Sequence, residues 1–303
     1  QCAFITPVFP AMGRTMCNGV LYVRGLPLKQ SNEGNDPLSR PHSSSVVDLL
    51  ERQGGHMIGL VHLSDIVDGE KAIFKRIYKL MEEGRRWILF DAISQEHLER
   101  IEKTVRRKYP GGLLVGSAGL ASSMAKRLNV SERPSEFEPS ISWGTLLVTC
   151  GSVNKTSLDQ LQFLSTLKDI HYAAIDTQAV LGSHQAEYEE RQRQKMEVIG
   201  AIEAGKDIVL GWKRDTLVKT FDNDKLDSTY RSQRLNDCLK KIAGEIFIEK
   251  RISCLLLIGG DTTFNVLKEL SSNGIELKSE LQVGIPIGQI VGGIAEGASV
   301  VTK

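Results

Sequence analysis

Short apolar runs and helix-spaced apolar positions alternate along most of this chain. The runs Cys2–Ile5, Met57–Leu63, Trp87–Phe90, Leu113–Val115, Thr145–Cys150, Tyr172–Ile175, Asp207–Leu210 and Ile252–Ile258 are bounded by turn residues. Runs of that kind read as strands, and the most apolar of them suit strands covered on both faces. Between them lie helical patterns at Val46–Arg52, Glu70–Glu83, from Ser94 onward, up to Lys126 after Leu120, and at Ser157–Leu164, Glu187–Ala204 and Asn236–Lys250. Glu70–Glu83 shows the helical spacing in Ile73, Ile77, Leu80 and Met81. Strands alternating with helices predict doubly wound sheets. The expected fold is α/β, with two lobes, each built on a mostly parallel sheet with helices on both faces.

The first residues depart from this alternation. Pro7 and Pro10 bracket Val8-Phe9 and hold the segment extended. Leu21–Val23 and Leu26–Leu28, around Arg24-Gly25, predict a hairpin. Lys29–Ser45 is a long polar loop containing Asp36-Pro37 and Arg40-Pro41, of the kind that is either functional or disordered.

A length of 303 residues suggests two domains. Residues 129–144 carry two prolines and several serines and charges, as a linker does. The expected domains are 1–128 and 145–303. The chain starts at Gln1 directly before a strand-like run and stops at Lys303 directly after one. Natural termini are more often loose and polar, so a slice of a longer polypeptide is expected.

Composition narrows the partners. Hydrophobic residues make up 41% and charged residues 25%, an ordinary globular balance. A net charge of +1 gives no electrostatic case for nucleic acid or an anionic membrane. No apolar run approaches the ~20 residues that span a bilayer. The five scattered cysteines form no Cys-x-x-Cys pair, so neither a zinc site nor a disulfide framework is indicated, and a reducing, cytoplasmic setting fits best.

Three glycine-bearing turns follow apolar strands: Gly116-Ser117, Gly151-Ser152 and Gly259-Gly260-Asp261-Thr262. Ligands of open α/β sheets bind beyond the carboxyl ends of the strands, so the two turns of the second half are placed to converge on one ligand. Gly259 and Gly260 allow backbone to approach a phosphate, and the helix start behind them offers free N–H groups. Asp261 suits such a site when Mg²⁺ bridges its carboxylate to phosphate oxygens. Thr262 or Thr263 can cap that helix, and the alternative is a plain strand-to-helix turn with Asp261 as its cap. No Gly-Lys-Ser/Thr ending makes a P-loop and no Gly-x-Gly-x-x-Gly marks a dinucleotide site.

In the first half, Gly13-Arg14-Thr15 follows the proline-braced segment. Arg14 is suited to a bidentate pair with a carboxylate or phosphate, or to a local carbonyl. Asp36 either binds a ligand hydroxyl or starts the Asp-Pro turn. Asp91, at a strand end, is either a site group or a cap. The six histidines do not cluster, and His42 in the polar loop is the one worth testing. Neither a Ser-His-Asp order nor paired-His metal spacing is present.

Taken together, Phe9-Pro10-Ala11-Met12-Gly13-Arg14-Thr15, Asn18-Gly19, Tyr22-Val23, Asp36-Pro37, Gly116–Ala121, Gly151-Ser152 with Thr156 and Gln160, Gly259–Thr262, Gly284-Ile285-Pro286 and Val301-Thr302-Lys303 resemble the four-carbon acid sugar kinase family. The resemblance runs over nearly the whole chain. It implies an ATP-dependent kinase acting on the terminal hydroxyl of acids such as 3-oxo-tetronate, erythronate or threonate, with an N-terminal domain for the acid and a C-terminal domain for ATP. Carried over, Gly151, Ser152, Gly259, Gly260, Asp261 and Thr262 contact ATP, and Asp261 is the Mg²⁺ candidate. Gly13, Arg14 and Asp36 fall on the substrate side.

Two parts of the family pattern are absent. An Ala-Asp-Asp-x-Thr-Gly-type loop, which carries the family's candidate catalytic acid, precedes the residues found here, so no catalytic residue is assigned. A Ser-Gly-Gly-Phe-Gly stretch follows the family's Thr-Lys. A homodimer and membership of a longer multidomain chain are both compatible with the sequence. The rival readings are a non-catalytic nucleotide- or sugar-acid-binding module and a Rossmann-type oxidoreductase.

Overall fold

The computed structural model describes residues 2–35, 40–128, 144–221, 228–250 and 252–303, with the side chains at 35, 218–221, 228 and 229 excepted. The chain divides into two compact units, Gln1–Arg133 and Pro134–Lys303. The expected linker, except Gly144, lies outside the described residues.

Unit 1 begins with β1 (Ala3–Thr6), followed by β2 (Arg14–Cys17), β3 (Val20–Val23) and β4 (Leu26–Pro27). Then come α1 (Val46–Arg52), β5 (Ile58–Val61), α2 (Leu63–Asp68), α3 (Glu70–Glu82), β6 (Trp87–Phe90), α4 (Gln95–Lys108), β7 (Leu113–Gly116) and α5 (Ala118–Arg127). The main sheet has the order β5-β6-β1-β7, with every pairing parallel. The predicted hairpin is real, but it gains β2 and becomes a small antiparallel sheet, β2-β3-β4. The apolar stripe of α3 packs Ile73, Ile77 and Leu80 into the same core as Phe4, Ile88, Leu89 and Phe90.

Asp91 is fully buried and acts as a clasp. Its carboxylate accepts the N–H groups of Asn18 (2.8 Å), Gly19 (2.9 Å) and Leu63 (3.1 Å). It therefore joins the end of β6 to the β2–β3 turn and the start of α2. The strand expected to reach Leu63 stops at Val61, because His62 and Asp65 form a capping box that starts α2.

Unit 2 contains β8 (Thr145–Cys150), α6 (Lys155–Leu164), β9 (Ile170–Ile175), α7 (Thr177–Leu181), α8 (His184–Glu203), β10 (Asp207–Trp212) and α9 (Arg214–Phe221). It continues with α10 (Ser228–Glu249), β11 (Ile252–Ile258), α11 (Gly260–Glu269), β12 (Gly274–Gln282), β13 (Ile285–Val291) and β14 (Ser299–Thr302). The sheet order is β12-β13-β14-β11-β8-β10-β9. Pairing is parallel from β14 to β9, and antiparallel where β13 meets β12 and β14. Leu147, Leu255 and Leu257 face the core that holds the buried residues of α10, while Val148, Cys150, Val209 and Ile258 face Leu161 of α6.

Two elements of unit 2 are longer than their apolar pattern. The β12–β13 hairpin carries Glu276, Lys278, Glu280 and Pro286, a polar composition suited to a sheet edge and without alternation to reveal a strand. Helix α10 starts at Ser228, ahead of the expected Asn236, in turns that are polar apart from Tyr230 and Leu235.

Candidate functional site

In unit 2 the order of strands reverses between β8 and β11. After β8 the chain runs through α6 to β9 on one side, and after β11 it runs through α11 to the β12–β14 side. Crevices of this kind, outside the carboxyl ends of adjacent parallel strands, are where open α/β sheets take ligands. Both glycine turns expected to bind nucleotide open at this crevice.

The two turns are bonded to each other. Gly151 N–H donates to Thr262 Oγ1 at 3.1 Å. A Cβ on Gly151 would stand 2.4 Å from that same oxygen, so any side chain there forces Thr262 to shift. Gly259 holds φ = +104°, and a Cβ on it would lie 3.9 Å from both Ser152 N and Ser152 Cβ. Gly259 N–H donates to Lys303 O at 2.9 Å, which ties the end of β14 to the same edge. Behind the Gly151 turn, buried Trp212 donates its indole N–H to Gly151 O at 3.2 Å. Tyr172 OH in turn donates to Trp212 O at 2.8 Å.

Helix α11 starts at Gly260 with Gly259 as its N-cap and with no side-chain cap. Its first internal N–H bond is that of Thr263 to Gly259 O, 2.9 Å. The N–H groups of Gly260, Asp261 and Thr262 therefore precede the helical ladder and form its positive dipole end. This corrects the capping expectation: neither Thr262 nor Thr263 nor Asp261 caps α11. Thr262 is inside the helix and buried, and it serves the Gly151 turn. The neighbouring helix α6, by contrast, is capped by Asn154, whose side chain accepts Thr156 N–H at 2.9 Å. Ser152 Oγ accepts Asn154 N–H at 3.2 Å and so shapes that turn.

Asp261 is exposed in the first turn of α11. Among the described residues no cluster of three or more His, Cys, Asp or Glu is placed to hold a metal. A single carboxylate beside uncapped N–H groups fits Mg²⁺ held mainly through phosphate oxygens, which is the usual arrangement for that ion. Burial pushes the Cys150 thiol up to about 11 and the Tyr172 phenol up to about 12. Neither supplies an anionic nucleophile near neutral pH.

Unit 1 has the corresponding reversal between β1 and β7. The chain leaves β1 toward β5, and reaches β7 from β6 by crossing β1. The segment after β1 and the start of α5 meet there. Ser117 caps α5 by accepting Gly119 N–H at 3.2 Å, and its hydroxyl donates to Val8 O. A Cβ on Gly119 would lie 2.9 Å from Val8 O and 3.3 Å from Phe9 Cα. Phe9 and Arg14 exchange backbone bonds of 2.9 and 3.0 Å around the Pro10–Met12 turn, which Gly13 closes at φ = +70°. Arg14 is thus set at the head of a tight loop docked on α5. Its side chain is exposed and has no hydrogen bond or ion pair among the described residues. Asp36 lies outside the described residues, and His42 is exposed in the stretch before α1.

Comparison with known proteins adds the family. The sequence profile described as "Sugar-binding N-terminal domain" matches residues 1–124, and "Nucleotide-binding C-terminal domain" matches residues 147–303. The chain belongs to the four-carbon acid sugar kinase family. Among curated members, the D-erythronate kinase of Heliobacterium modesticaldum is 25% identical over 99% of this chain and 69% of its own length. The D-threonate kinase of Salmonella typhimurium is 26% identical over 100% of this chain and 70% of its own. A solved Salmonella typhimurium structure, described as a putative tRNA synthase, shares the fold with a TM-score of 0.71 at 20% identity, covering 100% of this chain and 69% of that one.

Within this family the unit 2 crevice falls inside the nucleotide-binding match and the Arg14 loop inside the sugar-binding match. Sequence reasoning missed Trp212, which buttresses the Gly151 turn. Its indole carries no motif, and only the fold brings the end of β10 beside the end of β8.

Proposed function

We propose that this chain transfers a phosphoryl group from ATP to a hydroxyl of a four-carbon sugar acid of the erythronate, threonate or 3-oxo-tetronate type. The observation that carries the reading is the Gly151–Thr262 junction, which fuses two glycine turns into one cradle at the strand-order reversal. Relatives named D-erythronate kinase and D-threonate kinase support the substrate class.

In this reading the N–H groups of Gly260, Asp261 and Thr262 hold phosphate oxygens, and the Asp261 carboxylate holds Mg²⁺. ATP supplies the electrophilic γ-phosphorus: the bond to its bridging oxygen breaks as the acid's hydroxyl oxygen forms a new one and releases its proton. The protein's part is positioning and charge neutralisation. Arg14 takes the acid's carboxylate through its free guanidinium, beside the start of α5. All five cysteines are free, and among the described residues no helix is long and apolar enough to cross a membrane. Both facts suit the cytoplasm.

A titration with MgATP and, separately, NADH tests the nucleotide half of this reading. Binding of MgATP with no binding of NADH is expected. Binding of NADH alone would replace it with an oxidoreductase.

A further inference from the structure

The Gly151 cradle has a third wall. Helix α10 comes after β10 and α9 and leads into β11, whose carboxyl end carries the Gly259 turn. Asn236, in the third turn, points its carboxamide at the cradle: Oδ1 lies 3.0 Å from where a Gly151 Cβ would be. Leu239, nearly one turn later, comes within 3.3 Å of the same point. Three separate elements, β8, α10 and α11, thus converge on one glycine.

The backbone of Gly151 needs nothing from Asn236. Its N–H is taken by Thr262 Oγ1 and its carbonyl by the Trp212 indole. The Asn236 side chain is half-buried, and it makes no hydrogen bond among the described residues. A carboxamide brings two N–H donors and a carbonyl acceptor, and a partly buried one is costly to leave unserved. Its carboxamide thus stands unbonded beside a turn whose own backbone groups are already served.

We infer that Asn236 is a further ligand contact, donating its carboxamide N–H to a phosphate oxygen of the nucleotide held between the Gly151 and Gly259 turns. This rests on the nucleotide reading of unit 2 given above. A neutral donor there complements the backbone N–H groups of α11 from the opposite wall. A rotation of the amide exchanges Oδ1 and Nδ2 and presents the donor without moving the helix.

The test is calorimetric titration of the chain, and of Asn236→Leu and Asn236→Asp, with MgATP. Leucine keeps the branching at Cγ and removes the donors, while aspartate adds a charge that repels phosphate. The expected result is a loss of affinity of about ten- to hundredfold for Asn236→Leu, the range of a hydrogen bond to a charged group. Asn236→Asp should lose more, with the melting temperature of each free variant unchanged. Equal MgATP affinity of the parent chain and Asn236→Leu overturns the inference. A lowered melting temperature that accompanies the lost affinity also overturns it, by assigning Asn236 to the structure of the turn. Failure of the parent chain to bind MgATP is a separate result, and it removes the nucleotide reading itself.

Discussion

The N–H of Gly151 and the hydroxyl of Thr262, 111 positions apart in sequence, meet at 3.1 Å. That bond makes two glycine turns, each weak as a signal alone, into one continuous cradle. It also explains why position 151 is glycine: a methyl group there would stand 2.4 Å from the Thr262 oxygen.

Gly151→Ala should therefore weaken the fold and the site together. Forcing a methyl into a packed junction costs about 1–3 kcal/mol. The expected outcome is a lower melting temperature and at least a tenfold loss of MgATP affinity. Adding Thr262→Ala should recover part of the stability, because the clashing oxygen is gone. Calorimetry of the three proteins checks both effects.

Asp261→Ala should leave stability nearly unchanged, since the side chain is exposed in the first turn of α11. It should raise the KM for MgATP more than the KM for the sugar acid. An equal rise in both would assign Asp261 a structural role instead.

Arg14→Ala should raise the KM for the acid by about ten- to hundredfold, the worth of a charged hydrogen bond. The KM for MgATP should not move. Arg14→Lys should recover only part of the loss, because an ammonium cannot reproduce the planar bidentate fork.

Asp91→Ala should unfold unit 1 readily. It strips the partner from three backbone N–H groups around a fully buried carboxylate. Each orphaned donor costs about 1–3 kcal/mol. Chemical denaturation should show a loss of roughly 3 kcal/mol or more, with little change in unit 2.

Glu190 gives unit 2 an acid-sensitive lock. Burial raises its carboxyl pKa, but the hydrogen bonds from Arg193, Asp176 N–H and Gln194 outweigh that and leave it lowered. A carboxyl whose folded pKa is lowered stabilises the fold above its unfolded pKa. That contribution disappears as pH falls from the unfolded value, about 4.3, through the folded one. Glu190→Gln should therefore melt below the parent at pH 6, and the gap should shrink as pH approaches 3. Thermal melts across that range give the answer.

The apolar runs revealed most of the parallel strands because these are buried on both faces. Leu255, Leu257 and Ile258 of β11 show this directly. The strands β12 and β13 escaped because an edge hairpin with Glu276, Lys278 and Glu280 has no apolar alternation to read. The roles of single polar residues were less legible than the turns that carry them. Thr262 looked like a helix cap by its position near Gly260, yet its oxygen serves a strand end far away in sequence. Asp91 left cap and site group equally open until its three N–H partners were visible. Trp212 and Asn236 gave no local signal, because only the order of strands and the course of α10 bring them to Gly151.

The most direct measurement of the central claim is acid-dependent turnover. The chain is incubated with MgATP and each of D-erythronate, D-threonate and 3-oxo-tetronate, and ADP and the phosphorylated acid are quantified together. The account predicts that at least one acid gives ADP and phosphorylated acid in equal amounts. Binding of both ligands with no phosphorylated product from any of the acids would contradict it and leave a binding module in its place.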